Sequence, residues 1–334
     1  MTYPARQLAL EGQQPERLYW LRMQSMPPGV YIIGYHSIHG ANPAEWERAY
    51  GKVASQAEDL RAHLEWLCAH MTPLSLPELT VLPPEEYRRR AFFVLTFDDG
   101  YKNLLPVAMP IAAQFPVTPT VFVNGDFASG EKVYFRVLSS LLAMRGQQDY
   151  LLKAMQEVGL SAPPDAVRVF DHLKNSYQYP QTEEAVARAW KLANPSEAYP
   201  PAHLSWDELR QLSDVGWHIG NHTRGHVNLV ELDAAGHNAQ IIANETMMRD
   251  AGLVPIPWLA LPNGHARHVN RATSQWLDAH PDYHALFDAG GVNLEPSRKE
   301  WFRVGVGDFS LKTLRRQLKR EVSRSRRLSS PQKP

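Results

Sequence analysis

Short apolar runs alternate with longer amphipathic segments along most of this chain, and this alternation limits the possible folds more than any other feature. The runs are rich in β-branched and aromatic residues, which is typical of buried strands. Strands that alternate with helices form parallel sheets. The predicted strands are residues 30–35, 91–97, 118–123, 217–220, 258–261, 283–287 and 302–306. Strict alternation of this kind favours a closed or nearly closed barrel over an open sheet.

The segments between the strands predict helices and one insertion. The predicted helices are residues 43–70, 104–114, 206–214, 233–251, 269–280 and 311–323. The segment at about 130–203 breaks the rhythm because it is long, mixed in pattern and interrupted by proline pairs, so we predict a helical insertion that either shapes substrate access or covers the barrel side. We divide the chain into an N-terminal extension (1–28), a barrel domain (29–311) and a basic C-terminal helix and tail (312–334).

The composition is that of a globular protein and excludes several kinds of site. Cys68 is the single cysteine, so an intrachain disulfide and a cysteine-rich zinc site are both excluded, and any metal must be held by His, Asp or Glu. The formal net charge is +0, and no basic stripe runs through the body of the chain, which argues against a nucleic-acid binder. No apolar run reaches the roughly 18 to 20 residues that span a bilayer, and the N-terminus shows no signal-peptide pattern, so we expect a cytoplasmic protein.

Two adjacent carboxylates follow the second predicted strand, in the string Thr96-Phe97-Asp98-Asp99-Gly100. Taken alone, the string is better explained by a surface turn with solvated side chains. The carboxyl end of a buried parallel strand, however, is the place where α/β proteins bind their ligands. Further residues of the right chemistry at another strand end would therefore favour a functional site.

Such residues follow the strand at 217–220, where the string Asn221-His222-Thr223-Arg224-Gly225-His226 contains two histidines four residues apart. Histidines at this spacing can offer two imidazole nitrogens to one metal, although the spacing alone is weak evidence. One carboxylate with two imidazoles makes a three-ligand site with open positions, which is the layout of a catalytic metal centre.

The two strings resemble the first two motifs of the polysaccharide deacetylase, or NodB-homology, family, which is carbohydrate esterase family 4. Further strings resemble the branch that contains the poly-N-acetylglucosamine deacetylases. They are Tyr35-His36-Ser37, Leu204-Ser205-Trp206-Asp207-Glu208-Leu209 and, as a looser match to the third motif, Ala260-Leu261-Pro262-Asn263-Gly264. The resemblance implies an α/β fold, a distorted (β/α)7 barrel of NodB type, here with a helical insertion.

The resemblance also implies residue roles. It makes Asp98 the general base and Asp99, His222 and His226 the ligands of a divalent metal, with Zn²⁺ as the default and Co²⁺, Ni²⁺ or Fe²⁺ as alternatives. A backbone N–H in the turn after Pro262 is expected to meet the developing oxyanion.

The chain departs from the family pattern in two ways. Many members have an arginine that orients the base at the position of Ala260, but the branch in question commonly lacks it. The late Leu-x-His motif that supplies the general acid is not visible after residue 302. His36 is the first candidate for this acid because it ends a predicted strand, and a structural, hydrogen-bonded histidine explains it equally well. His265 and His268 come next.

These observations lead to three functional hypotheses. The first is a metal-dependent hydrolase that removes an N-acyl group, above all acetyl, from an amino-sugar glycan or glycan precursor. The second is a hydrolase of non-sugar C–N bonds, in ureides, imides or formamides, and the third is an inactive carbohydrate-binding protein of the same fold. The basic C-terminus is expected to form a solvated helix and tail. The alternative is contact with a polyanion or with a membrane surface, in which case the contact would be peripheral, at the anionic inner leaflet.

Overall fold

Parallel strands surrounded by helices make up the computed structural model, which describes residues 26–49, 54–163, 169, 172–173, 180–264, 271–288, 291–297 and 299–329. The strands in this part of the chain are β1 (Gly29–Tyr35), β2 (Ile38–His39), β3 (Ser55–Gln56), β4 (Thr72–Leu74), β5 (Ala91–Phe97), β6 (Thr120–Val123), β7 (His218–Asn221), β8 (Trp258–Ala260), β9 (His284–Phe287) and β10 (Glu300–Gly305). The α-helices are α1 (Glu45–Ala49), α2 (Ala57–His70), α3 (Leu76–Thr80), α4 (Glu86–Arg89), α5 (Ala108–Ala112), α6 (Gly125–Ala128), α7 (Phe135–Met144), α8 (Gln148–Glu157), α9 (Gln181–Ala193), α10 (Trp206–Asp214), α11 (Ala234–Asp250), α12 (Arg271–Ala279) and α13 (Leu311–Ser329).

Seven of the strands close into a barrel, in the order β1, β10, β9, β8, β7, β6 and β5, with β5 returning to β1. The closing pair is the longest, since β1 and β5 are in register from Gly29 opposite Ala91 to Tyr35 opposite Phe97. One edge of β5 is shared by two strands. The short β4 pairs with the first half of β5, and β6 pairs with its last two residues. The predicted seven-stranded α/β barrel is therefore confirmed.

Strand residues alternate between the barrel interior and the helical layer, which explains why both faces of the strands are apolar. On β1, Val30 and Ile32 join the interior cluster with Phe122, Trp258 and Trp301. Residues of β1 at the intervening positions belong to the outer core between strands and helices. All seven residues of β1 and all seven of β5 are buried, as expected of strands covered on both faces.

Most predicted element bounds differ from the observed ones by one to three residues, and the β5 and α10 segments match in full. The single helix predicted over 43–70 is wrong. The chain forms α1, then the short β3 that pairs with β2, and only then α2. Residues 50–53 lie outside the described part. The predicted helix over 104–114 is shorter, at Ala108–Ala112, and the C-terminal helix is longer, reaching Ser329.

The segment predicted as a helical insertion contains α7, α8 and α9, which pack against one another. Arg145, at the end of α7, donates to Glu45 of α1 and to Glu197 after α9, which ties the insertion to the helix that follows β1. Of the predicted N-terminal extension, residues 1–25 lie outside the described part. Among the described residues, no helix combines the length and the apolar character that crossing a membrane requires.

Candidate metal centre and its surroundings

The residues singled out in the sequence meet at one end of the barrel. Asp98 and Asp99 follow β5, His222 follows β7 and His36 follows β1, so all of them lie at the carboxyl ends of parallel strands of the barrel. This edge is where the turns from strand to helix leave the sheet, and it is the position at which barrel enzymes place their sites. Local sequence put each residue at a strand end, and barrel closure brought the ends together.

Asp99, His222 and His226 form a buried group whose ligand atoms all lie within 4.8 Å of one another. Asp99 Oδ1 is 3.3 Å from His222 Nε2 and 3.4 Å from His226 Nε2. Among the described residues, no hydrogen-bond donor is aligned on Asp99 Oδ1, although the atom is fully buried. A buried, unsatisfied carboxylate oxygen facing two imidazole nitrogens fits a divalent cation, because a cation would satisfy all three groups at once.

Hydrogen bonding of the ring fixes the orientation of His222. Its Nδ1–H donates to the carbonyl of Ala260 at 2.8 Å, so Nε2 keeps its lone pair and faces Asp99. Backbone support of this kind is the usual partner of a metal-binding histidine. Burial lowers the pKa of His222, but Asp98 and Asp99 outweigh burial and raise it overall. For His226, burial dominates and lowers the pKa to about 3.

The backbone at two of the candidate ligands, and at Thr223 between the histidines, is held in the left-handed region that residues other than glycine rarely adopt. The φ angles are 64° at Asp99, 65° at Thr223 and 56° at His226. His203 supports the first of these, because its Nδ1–H donates to the carbonyl of Asp99 at 2.9 Å while its Nε2 accepts from the backbone N–H of Tyr134. The ring of His203 is buried, which lowers its pKa to about 4 and keeps it neutral at pH 7.

Three buried asparagines hold the turn that carries His222 and His226. Asn221 Oδ1 accepts the backbone N–H of Thr223 at 2.9 Å and the side chain of Asn244 at 2.9 Å. Asn124 Nδ2 donates to the carbonyl of Thr223, also at 2.9 Å. These bonds satisfy backbone groups that a buried, irregular turn would otherwise leave unpaired.

Asp98 lies in a different environment, beside a buried arginine. Nη1 of Arg303, on β10, donates to Asp98 Oδ1 at 2.8 Å, and Nη2 donates to Asp98 Oδ2, so the pair is bidentate. Arg303 Nε donates in turn to Asp288, which follows β9. Burial raises the pKa of Asp98, but Arg303 and the neighbouring histidines outweigh burial and hold this pKa below its usual value.

Glycines leave space for this arrangement. A Cβ on Gly34 of β1 would lie 3.4 Å from Arg303 Cδ, so the Arg303 side chain passes close to the β1 backbone at this position. A Cβ on Gly264, in the third motif, would lie 2.6 Å from the Cβ of Asp288, and Gly264 also has a φ of 46°. Its N–H donates to the carbonyl of Leu261 at 3.0 Å and so closes a turn. Gly264 therefore does not supply the expected oxyanion donor in this conformation.

His36 lies on the open side of the site. Its Nε2 is 3.8 Å from Asp98 Oδ2, and its side chain is 27% exposed, whereas that of Asp98 is 2% exposed. The position is compatible with the expected role of general acid, which stays a prediction. His265 and His268, the other candidates, lie outside the described residues.

The sequence interpretation missed Arg303, Asp288 and His203. Arg303 lies within the predicted strand at 302–306, two residues after Trp301, and alternation places both side chains in the barrel interior. A charged residue at an inward position of a buried strand requires an opposite charge, and this signal could have identified Arg303. Its partner could not have been identified in the same way, because the two acids lie 205 and 15 residues away.

Comparison with known proteins identifies a family that matches the chain. The profile of the polysaccharide deacetylase family matches residues 86–280, more than half of the chain. No curated protein matches the chain at a significant level.

Solved structures of similar fold include two deacetylases and the protein IcaB. The Streptococcus pyogenes deacetylase PplD in complex with acetate has a TM-score of 0.55 at 16% identity, over 88% of this chain and 99% of that chain. IcaB from Ammonifex degensii has a TM-score of 0.55 at 14% identity, over 89% and 100%. A de-N-acetylase from Aggregatibacter actinomycetemcomitans has a TM-score of 0.54 at 14% identity, over 86% and 99%. At these identities the likeness shows the fold.

Proposed function

The chain belongs to the polysaccharide deacetylase family, and from this premise we propose that it removes the acetyl group from an N-acetylated amino sugar in a glycan or glycan precursor. The observation that carries the proposal is the buried group of Asp99, His222 and His226 with the carboxylate of Asp98 beside it. This arrangement combines a three-ligand cation site with a separate base, which hydrolysis of an amide needs.

The three ligands would hold a divalent cation through one carboxylate oxygen and two imidazole nitrogens, a donor set that suits Zn²⁺, with Co²⁺, Ni²⁺ and Fe²⁺ as alternatives. Bound there, the cation would polarise the acyl carbonyl and lower the pKa of a water molecule. The family is metal-dependent in general, and the unsatisfied oxygen of Asp99 supports the same requirement in this chain.

Asp98 would act as the general base. Its lowered pKa keeps the carboxylate ionised at neutral pH, so it can accept a proton from the attacking water. Each oxygen receives one N–H from Arg303 and keeps a second lone pair for that proton. The bidentate contact with Arg303 fixes the plane of the carboxylate and so the direction of this lone pair.

His36 would act as the general acid. The attack of water on the acyl carbon ends with cleavage of the C–N bond, and the departing amine must gain a proton. The Nε2 atom of His36 lies 3.8 Å from Asp98 Oδ2 on the partly exposed side of the site, where a sugar nitrogen could approach. A proton on Nε2 would thus be available to the amine.

The proposed substrate class rests on the family and on the acetyl chemistry of similar folds, one of which was solved in complex with acetate. A nucleotide-linked or lipid-linked amino sugar would suit a cytoplasmic enzyme, and the cytoplasmic location itself remains a prediction from the sequence. Fractionation of cells that express the full chain would test the location directly.

Acetate release tests the proposed function. Purified protein loaded with Zn²⁺ is incubated with N-acetylglucosamine oligomers, with nucleotide-linked N-acetylglucosamine and with a panel of small formamides, ureides and imides. We expect acetate from at least one of the sugar substrates, and none from the Asp98→Asn variant. Turnover of the small amides alone would establish the non-sugar hydrolase instead. Protein that neither contains nor acquires a divalent metal would contradict hydrolase activity altogether.

A further inference from the structure

Helix α13 carries a continuous row of exposed cations on one side. We call this row the basic stripe; it consists of Lys312, Arg315, Arg316, Lys319, Arg320 and Arg324. The residues follow one another at intervals of one, three or four positions, so they lie along one face of the helix. The stripe covers about 18 Å at the 1.5 Å rise of an α-helix.

The opposite side of α13 is fully used in packing. Leu314, Leu318 and Val322 are buried in the outer core, in the same cluster as Leu60 and Leu64 of α2. The helix therefore has a fixed orientation on the barrel. Because its apolar face is buried against the barrel, the stripe faces solvent. Over residues 311–325, whose side chains the structure describes, no apolar side of the helix remains for insertion into a bilayer, so contact of this part with a surface would be electrostatic.

The cations of the stripe have almost no acidic partners. Within the described part of the chain, the only ion pair of the stripe is between Arg324 and Glu321, at 3.8 Å. Glu321 itself is buried under the helix and accepts a hydrogen bond from Gln317. Arg315 packs over the ring of Trp66 of α2, with its guanidinium 5.6 Å from the ring centroid, which keeps the charge available. The chain has a formal net charge of +0, so this charge is a local excess.

The shape of the stripe favours one kind of partner. Side chains on one face of a straight helix diverge, so they do not converge on a single phosphate or carboxylate as a ligand pocket does. The stripe also contains no aromatic residue on which bases or sugar rings could stack. Cations spread over this length instead match a broad anionic surface such as a lipid bilayer, where each Lys or Arg adds to the attraction.

We propose that the basic stripe of α13 docks the protein peripherally on bilayers that contain anionic lipids. The proposal does not depend on the deacetylase function, because no residue of the stripe belongs to the candidate site. Such docking would hold the enzyme at the surface where lipid-linked substrates reside. It would weaken with salt, since exposed charges are screened beyond about 10 Å at 0.1 M ionic strength.

Vesicle sedimentation tests the proposal with the full chain. Vesicles of phosphatidylcholine with phosphatidylglycerol are compared with vesicles of phosphatidylcholine alone, at low and high salt. We expect the wild-type protein to sediment with the anionic vesicles at low salt only. The triple variant Arg316→Glu, Lys319→Glu, Arg320→Glu should bind about 100-fold more weakly, at roughly fivefold for each cation lost.

A second triple variant controls for net charge. Lys153→Glu, Lys191→Glu and Arg271→Glu change the charge by the same amount at exposed positions on other helices. This variant should keep vesicle binding, and both variants should keep the circular dichroism spectrum and the acetate release of the wild type. Equal losses in both variants, or no binding of the wild type to anionic vesicles, would overturn the proposal. Stripe-dependent binding to heparin that exceeds binding to vesicles would overturn it too, and would assign the stripe to a soluble polyanion.

Discussion

Asp98 and Asp99 are adjacent in the chain and almost equally buried, at 1% and 2% exposed, but their carboxylates lie in opposite surroundings. Asp98 receives two hydrogen bonds from the guanidinium of Arg303 and has its charge balanced within the protein. Asp99 faces two imidazole nitrogens, and no donor from the described part of the chain reaches one of its oxygens. A buried carboxylate that the protein satisfies can serve as a base, whereas one that it leaves unsatisfied requires a cation.

The largest effect is expected from removing the unsatisfied carboxylate. Asp99→Ala takes away the single anionic ligand, and two imidazoles alone hold a divalent metal weakly. We expect this variant to lose its metal on dialysis and to release no acetate. Metal content per chain, measured by elemental analysis, checks the result. Full retention of metal by Asp99→Ala would remove Asp99 from the ligand set.

Changing the satisfied carboxylate should separate catalysis from metal binding. Asp98→Asn keeps the shape of the side chain and removes the base, so we expect turnover to fall by about 10³- to 10⁴-fold. The metal content should stay at the wild-type level, because Asp99, His222 and His226 are intact. Loss of metal together with activity would show that Asp98 is a ligand and that the two carboxylates share one role.

A variant of His36, the partly exposed histidine beside Asp98, tests the proposed general acid. His36→Gln removes the proposed proton donor, and we expect kcat to fall by about 100-fold with the metal retained. The loss should be smaller for substrates with a good leaving group, because such a group departs without a proton. Comparing an N-acetyl sugar with an activated acetate ester measures this difference. An equal loss on both substrates would assign His36 a structural role.

A variant of Arg303 tests whether its two hydrogen bonds balance the charge of the Asp98 carboxylate. Arg303→Met leaves Asp98 and Asp288 without their cation, so we expect a loss of about 3–5 kcal/mol in the free energy of unfolding. Burial then dominates the pKa of Asp98 and raises it, so the acid limb of the kcat/KM profile should move to higher pH.

Urea unfolding and the pH–rate profile check both expectations for Arg303→Met. Arg88→Met is the matched control, because Arg88 also contacts a carboxylate, that of Glu295, but both side chains are more than half exposed. An exposed pair of this kind contributes about 0–1 kcal/mol. An unshifted acid limb in a folded Arg303→Met protein would mean that Arg303 does not tune Asp98.

The smallest effect is expected from removing the hydrogen bond that His203 donates to the backbone of Asp99. His203→Phe keeps the ring stack on Phe127 but removes the N–H that donates to the carbonyl of Asp99. We expect metal affinity to fall by about tenfold, which is the lower end for the loss of a group that orients a ligand. Competition with a chelator measures this affinity. The variant His280→Gln, before β9 at the other end of the barrel, should match the wild type.

The sequence identified Asp98, Asp99, His222, His226 and His36 because each follows a predicted strand within short, recognisable strings. It did not identify Arg303, Asp288 or His203, because their contacts cross between elements that are distant along the chain. Arg303 contacts Asp98 only because β10 pairs with β1, with Arg303 opposite Ile32, and β1 pairs in turn with β5. No local sequence pattern indicates that these strands are neighbours.

In the fold, too, local patterns were predictable from the sequence and contacts between distant elements were not. Buried strands were predictable because apolar runs covered by helices on one side and by the barrel interior on the other have a distinctive composition. The break between α1 and α2 was not, since β3 has two residues and depends on its pairing with β2. The short β4 likewise exists because β5 offers it an edge.

The sequence by itself determined which residues can do chemistry at this site and on which strands they lie, since side-chain type and apolar periodicity are local properties. The tertiary structure decided the surroundings of each of those residues. Closing the barrel brought a guanidinium to Asp98 and two imidazoles to Asp99, and at nearly equal burial the surroundings alone set the charge and bonding of each carboxylate. Two neighbouring aspartates thus acquired different surroundings from contacts that the chain forms only when folded.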